Sequence, residues 1–238
     1  MKIELNIDGL RDTLNTSVRV SEEMNGSKDP NFRRIFHHNH HIVLYLKDHI
    51  MKDACKGYFE IGTHFGHSIS NIMQSKYPSK IATCDLFQVG VTIAKDCKVS
   101  DVESLAISNI EKFNINGYDY RIFKGSSHSR EVHNRVSSYF VEGIDILFID
   151  GDHRRKAVLS DFEMYFPLVN PGGYIIFDDY LPYMWNGKLR ECPIAINDLI
   201  VKHNEKLRVV GLVEDLAGSN ELKSGISDKN SCFIVQKV

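Results

Sequence analysis

Five short apolar runs, separated by stretches of helical periodicity, constrain this chain more than any other feature. The runs are GYFEI (57–61), KIATCDL (80–86), YRIFK (120–124), IDILFID (144–150) and YIIFDD (174–179). Each has the length of a strand. Between them apolar residues recur at helical spacing from about Ser68 to Gln74, Ser100 to Phe113, Val132 to Tyr139 and Lys156 to Phe166. Ser100 and Glu103 have capping-box spacing, and Pro167 with Asn170-Pro171-Gly172-Gly173 stops the last of these helices. Strands alternating with helices imply a doubly wound α/β fold, a mostly parallel sheet covered on both faces. IDILFID is the most apolar run and is expected at the centre. A further helix fits Ile194 to His203, and strands fit Leu207–Val213 and Ser231–Gln236. The link between those two strands has no helical pattern, so an antiparallel strand is expected at one edge of a seven-stranded sheet.

With 238 residues, the economical reading is one α/β domain over 57–238 and an N-terminal extension over 1–56. The first thirty residues read as polar and irregular, with turn chemistry at Asn25-Gly26 and Asp29-Pro30. Asn31 to Met51 reads as one or two helices. Lys and Arg number 29 against 31 Asp and Glu, a net charge of −2, so neither nucleic acid nor an anionic membrane is an expected partner. Cys55, Cys84, Cys97, Cys192 and Cys232 are scattered and form no C-x-x-C pair, which argues against a disulfide framework and for a reducing cytoplasm. No run has the make-up of a signal peptide or reaches membrane-spanning length, and a homo-oligomer is left open.

In such a sheet ligands bind beyond the carboxyl ends of the strands. The first run ends in Glu60-Ile61-Gly62-Thr63-His64-Phe65-Gly66-His67-Ser68, the second in Asp85, and the third in Gly125-Ser126-Ser127-His128. The fourth ends in Asp150-Gly151-Asp152-His153 and the fifth in Asp178-Asp179. Polar residues and glycines therefore gather at one edge while the strand interiors stay apolar. Gly62 and Gly66 allow a tight turn and close backbone approach, but G-x-x-x-G lacks the middle glycine of a dinucleotide fingerprint. Asp85, about twenty residues on, stands where a carboxylate can accept ribose hydroxyls.

E-I-G-T-x-x-G-x-S, the acidic end of the next strand, and I-D-G-D-H followed by P-G-G-x-I-I-x-D-D resemble class I, Rossmann-like methyltransferases that use S-adenosylmethionine. Within that class the chain is most similar to metal-dependent small-molecule O-methyltransferases, the macrolide-sugar enzymes and, more distantly, catechol O-methyltransferase. The resemblance spans roughly Gly57 to His203. It implies that Glu60 and Gly62 line the methionine part of the methyl donor, that Ser68 holds its carboxylate and Asp85 its ribose, and that Ser127 and His128 border the adenine, with Gly66 and Gly125 also among the cofactor-binding residues. The family's metal ligands fall on Asp150, Asp178 and Asp179, and Mg²⁺ is the implied ion. The acceptor would be a hydroxyl of a small molecule.

The metal reading also has a basis in charge alone. Three carboxylates at adjacent strand ends repel unless a cation lies among them, and an all-oxygen set favours a hard ion. His153 lies three residues after Asp150, where the catechol enzyme has a lysine base, and a histidine can accept a proton near neutral pH. Asp152 is a second candidate for that role. His37-His38-Asn39-His40-His41 could place two imidazoles on one helix face, yet no partner completes a zinc tetrahedron, so lining the pocket mouth or plain exposure is the expected role. Trp185, Tyr180, Tyr183 and Met184 follow the double aspartate and could pack a ring or simply a core. The alternatives are a metal-independent methyltransferase with His153 as base, a nicotinamide-dependent oxidoreductase, and a non-catalytic binding module.

Overall fold

The computed structural model describes residues 6–25, 40–87, 102–180, 184–185, 188–189, 191–214 and 231–238. Its strands are β1 (Gly57–Ile61), β2 (Lys80–Asp85), β3 (Tyr120–Lys124), β4 (Ile144–Ile149), β5 (Val169–Phe177), a short pair β6 (Met184–Trp185) and β7 (Lys188–Leu189), β8 (Leu207–Glu214) and β9 (Ser231–Lys237). Seven of them form one sheet in the order β3-β2-β1-β4-β5-β9-β8. β1 to β5 pair in parallel, whereas β9 runs antiparallel to both β5 and β8. The reversed strand thus lies one place in from the edge, and β4 is central as its composition predicts.

Alternation along the strands explains why helices cover both faces. Phe59 and Ile61 of β1, with Leu147 and Ile149 of β4, join a core beneath α5 (Arg130–Tyr139), α6 (Arg155–Tyr165) and α7 (Cys192–Lys202). Tyr58, Ile146 and Phe148 join a second core beneath α2 (His41–Tyr45), α3 (His67–Ile72) and α4 (Val102–Phe113). Every residue of β4 is buried, so large-to-small changes there should cost about 2–5 kcal/mol each.

The N-terminal reading needs correction. Residues placed in an irregular stretch form α1 (Ile7–Asn25), a helix of 19 residues that packs against α2 and α3. Its buried positions are Gly9, Thr13, Ser17, Val20 and Ser21, a small and mostly polar stripe. A Cβ at Gly9 would stand 2.5 Å from Nδ1 of His49, so the backbone itself approaches the neighbouring segment. The helix expected from Asn31 is described only from His41, where α2 runs into a π-helical turn (Leu46–Met51). Ser100, His37, His38, Asn39, Tyr183 and Cys97 lie outside the described residues.

Candidate active site

The strand order reverses between β1 and β4, and the carboxyl ends of these two strands meet there. Gly62 follows β1 with φ 98°, and a Cβ on it would lie 2.0 Å from the carbonyl oxygen of Asp150. Only glycine permits that approach. Gly66 has φ 80° and begins α3. Three of the four positive-φ non-glycine residues among those described, His64 (46°), Phe87 (49°) and Asp179 (57°), also fall at this edge. Such backbone is held against its own preference by the surrounding contacts.

Asp85 organises the turn between them. Its Oδ2 accepts the backbone N–H groups of Thr63 and His64, both at 2.8 Å, and its Oδ1 accepts that of Phe87 at 2.7 Å. A carboxylate offers about four acceptor directions, so the three backbone N–H groups leave about one. Glu60 lies beneath the same turn, fully buried, and accepts the Tyr58 hydroxyl at 2.5 Å. Burial pushes its pKa up to about 8, although hydroxyl contacts from Tyr58, Ser68 and Thr83 pull the other way. Ser68 is buried at the start of α3.

At the end of β3, Gly125 takes φ 141° and donates its N–H to the Asp85 carbonyl at 2.9 Å. The Ser127 carbonyl accepts the Tyr165 hydroxyl at 2.9 Å, and His128 Nε2 lies 3.0 Å from Oδ1 of Asp161. Asp161 was not singled out from the sequence. It is 1% exposed, and burial raises its pKa to about 6 against the pull of Ser127 and His128. A lone acid among Ala157, Val158 and Phe162 of α6 was the available signal.

The acidic cluster forms where β4 and β5 end. Oxygen or nitrogen atoms of Asp150, His153 and Asp178 lie within 4.8 Å of one another, a grouping able to hold a metal ion. His153 bridges two of the predicted acids, with Nε2 3.3 Å from Oδ1 of Asp150 and Nδ1 2.7 Å from Oδ2 of Asp179. Burial opposes a charge on His153, but its hydrogen bonds to Asp150 and Asp179 outweigh this and raise its pKa well above the ordinary value. Burial likewise opposes ionisation of Asp150, and the hydrogen bond from His153 with the nearby imidazole of His40 still holds its carboxyl below the usual range. Asp178 is driven well upward, first by burial and then by the charges of Asp150 and Asp179. Crowding of the acids thus favours a proton on Asp178, and the flanking carboxylates favour a charge on His153. Asp152 is turned to Arg154, whose guanidinium holds it below its ordinary pKa, so it stands apart from the cluster.

A protein-family model described as a methyltransferase domain matches residues 59–180, just over half of the chain. The chain belongs to this methyltransferase family. The methyltransferase is 34% identical over 220 residues to the uncharacterized protein R132 of Acanthamoeba polyphaga mimivirus, covering 89% of this chain and 92% of that one. Its fold is shared with an O-methyltransferase from Bacillus cereus solved in complex with SAH, with TM-score 0.54 at 16% identity, covering 99% of this chain and 93% of that one. A TDP-rhamnose 3′-O-methyltransferase of calicheamicin biosynthesis shares it with TM-score 0.54 at 14% identity, covering 93% of each chain. Family membership removes the oxidoreductase alternative.

At this site the methyltransferase carries an imidazole pair that the histidine-rich motif only hinted at. His40 Nδ1 lies 2.6 Å from Nδ1 of His67, and His40 Nε2 lies 3.9 Å from Oδ2 of Asp150. Tyr180 packs on Phe233 with ring centres 4.4 Å apart and donates its hydroxyl to Asn197 at 3.2 Å.

Proposed function

We propose that this methyltransferase moves the methyl group of S-adenosylmethionine to a hydroxyl of a small molecule, a sugar or catechol-like ring, with a divalent cation such as Mg²⁺ beside the acceptor. The observation that carries the reading is the Asp150–His153–Asp178 cluster, set against the Gly62 turn at the reversal point of the sheet. Support comes from the neighbours of like fold, one solved with SAH and one named as a sugar O-methyltransferase.

In the proposed reaction the acceptor oxygen attacks the methyl carbon. The O–C bond forms, the C–S bond breaks, and sulfur keeps the electron pair and leaves as a neutral thioether. Glu60, Gly62, Gly66 and Ser68 would line the methionine portion of the donor, Asp85 would accept from the ribose, and Gly125, Ser127 and His128 would border the adenine. Asp150, Asp178 and Asp179 would hold the cation; the grouping within 4.8 Å consists of Asp150, His153 and Asp178, without Asp179, so His153 is a further candidate ligand. Oxygens with one imidazole suit Mg²⁺ or Mn²⁺. When bound, such an ion would make a neighbouring hydroxyl more acidic and fix its direction.

In its neutral form His153 would supply a route for the hydroxyl proton, through a ring nitrogen that does not also hold the cation. Its short contact to Asp179 fixes Nδ1, while the longer contact to Asp150 leaves Nε2 the more exchangeable nitrogen. This arrangement also favours a second reading, in which His153 alone serves as base and no cation takes part.

The test has two stages. Calorimetric titration with S-adenosylmethionine and S-adenosylhomocysteine should show binding, and none by an intact fold would refute the donor assignment. Acceptor screening with a labelled methyl donor should then show turnover that chelator abolishes and Mg²⁺ restores. Full turnover in chelator would leave the His153 reading standing.

A further inference from the structure

We propose that His40 is a positioning residue for Asp150, held in one ring orientation by His67 and, through His67, by Ser21 of α1. The inference rests on Asp150 being a site residue.

The hydrogen bonds run in series. Ser21 donates its hydroxyl proton to the Ser17 carbonyl at 2.8 Å, and its oxygen lies 2.5 Å from Nε2 of His67. With its proton on the Ser17 carbonyl, Ser21 accepts from His67, and Nε2 of His67 is then the protonated nitrogen. The Nδ1 atoms of His67 and His40 face each other at 2.6 Å, which requires one proton between them. Whichever ring holds that proton, the contact opposes flipping of both rings, and Nε2 of His40 is the atom turned to Oδ2 of Asp150; with an N–H there the pair holds three protons and one positive charge, opposite in sign to the carboxylate it faces. At 3.9 Å this contact is electrostatic rather than a hydrogen bond.

Packing closes the arrangement. His40, His67 and Ser21 are each 3–4% exposed. The His40 ring meets Phe148 of β4 edge-on, with centres 5.7 Å apart. Asp150 thus has His153 at one oxygen and His40 at the other, so rotation of its carboxylate is opposed from both sides. Outer partners of this kind orient the residues that do the chemistry. The series also begins on α1, so the N-terminal helix is wired to the site.

Two substitutions separate the ends of the His40 ring. Glutamine keeps an N–H donor near the place of Nε2, and asparagine keeps a polar atom only near Nδ1. The reporter is His153, which touches the other oxygen of Asp150, read as its Nε2 resonance in ¹⁵N–¹H spectra of the ¹⁵N-histidine-labelled full chain. This needs neither acceptor, methyl donor nor metal, so it stands apart from the methyl-transfer reading. Expected is a displaced His153 resonance in His40→Asn and a smaller displacement in His40→Gln, which keeps the donor but loses the Nδ1 contact to His67, with circular dichroism unchanged in both. Should His40→Asn fail to fold, Ser21→Ala loosens the same series from its far end and should displace the His153 resonance in the same direction. An unshifted His153 resonance in folded His40→Asn, or in Ser21→Ala where that variant is the one that folds, would overturn the proposal. An equal shift in His40→Gln and His40→Asn would also overturn it.

Discussion

Nδ1 of His153 lies 2.7 Å from Oδ2 of Asp179, whose own backbone is held at φ 57°. The strained residue is therefore the one that orients the candidate base, which makes its carboxylate separable from its backbone by substitution. Asp179→Asn keeps the shape and removes the charge. Turnover should fall by roughly 10²-fold or more, the scale of general acid–base assistance, with little change in S-adenosylhomocysteine affinity. Asp178→Asn should behave alike, because the proposed mechanism puts both on the acceptor side. A turnover assay paired with calorimetry checks this, and a wild-type rate in either variant refutes it.

Gly62 and Gly117 form a matched pair for testing close approach. Both have positive φ, 98° and 67°, but a Cβ at Gly117 meets nothing within 4 Å, while one at Gly62 meets the Asp150 carbonyl at 2.0 Å. Gly117→Ala should cost about 1–2 kcal/mol, the penalty of left-handed backbone alone. Gly62→Ala adds a steric overlap and should cost more than about 3 kcal/mol. Urea denaturation of the two variants measures the difference. Equal losses would mean that β1 and β4 can part at no cost.

Glu60 gives the protein a pH dependence of definite sign. Its pKa in the fold is about 8 against an ordinary 4.5, because burial disfavours the charge. Between these values the folded state holds a proton that the unfolded chain has lost. Stability therefore falls as pH rises from about 4.5 to about 8, by up to roughly 1.4 kcal/mol per pH unit, and levels off above. Glu60→Gln removes this slope and keeps an acceptor for Tyr58. Denaturation at pH 5, 7 and 9 should show the variant gaining on wild type as pH rises, and parallel profiles would contradict the assignment.

Asp85→Ala should weaken S-adenosylhomocysteine binding by about 1.5–3 kcal/mol. The sequence alone suggests a ribose acceptor and nothing more. Since the carboxylate also anchors three backbone N–H groups, the same change should lower Tm in the ligand-free protein. Calorimetry and thermal unfolding read the two effects separately, and an unaltered Tm would mean that the turn closes without this anchor.

The parallel sheet was legible because buried strands leave continuous apolar runs, and IDILFID is the clearest of them. Gly62, Asp85 and Asp150 could be placed from sequence because strand ends share one edge in any such fold. α1 was hidden because its buried face has one apolar residue, Val20, among Gly9, Thr13, Ser17 and Ser21, residues that hydropathy does not count as apolar. Close helix packing selects them for size, which a period search over apolar residues does not detect. His40, His67 and Asp161 were missed as partners for a related reason. Their roles depend on contacts across 27 to 33 residues of chain, and no local spacing encodes those.

The position of β9 bears on how the chain is made. β8 is synthesised earlier, yet it joins the sheet only through β9, which is the later element and slots between β5 and β8. β9 also brings Lys237 to the carbonyls of Phe166 and Val169 and sets Cys232 against Asp178. A nascent chain on the ribosome can therefore assemble β1 to β5 while one flank stays open, with β8 waiting for its partner. The surroundings of Asp178 therefore close only once β9 is in place, after β1 to β5 have been made.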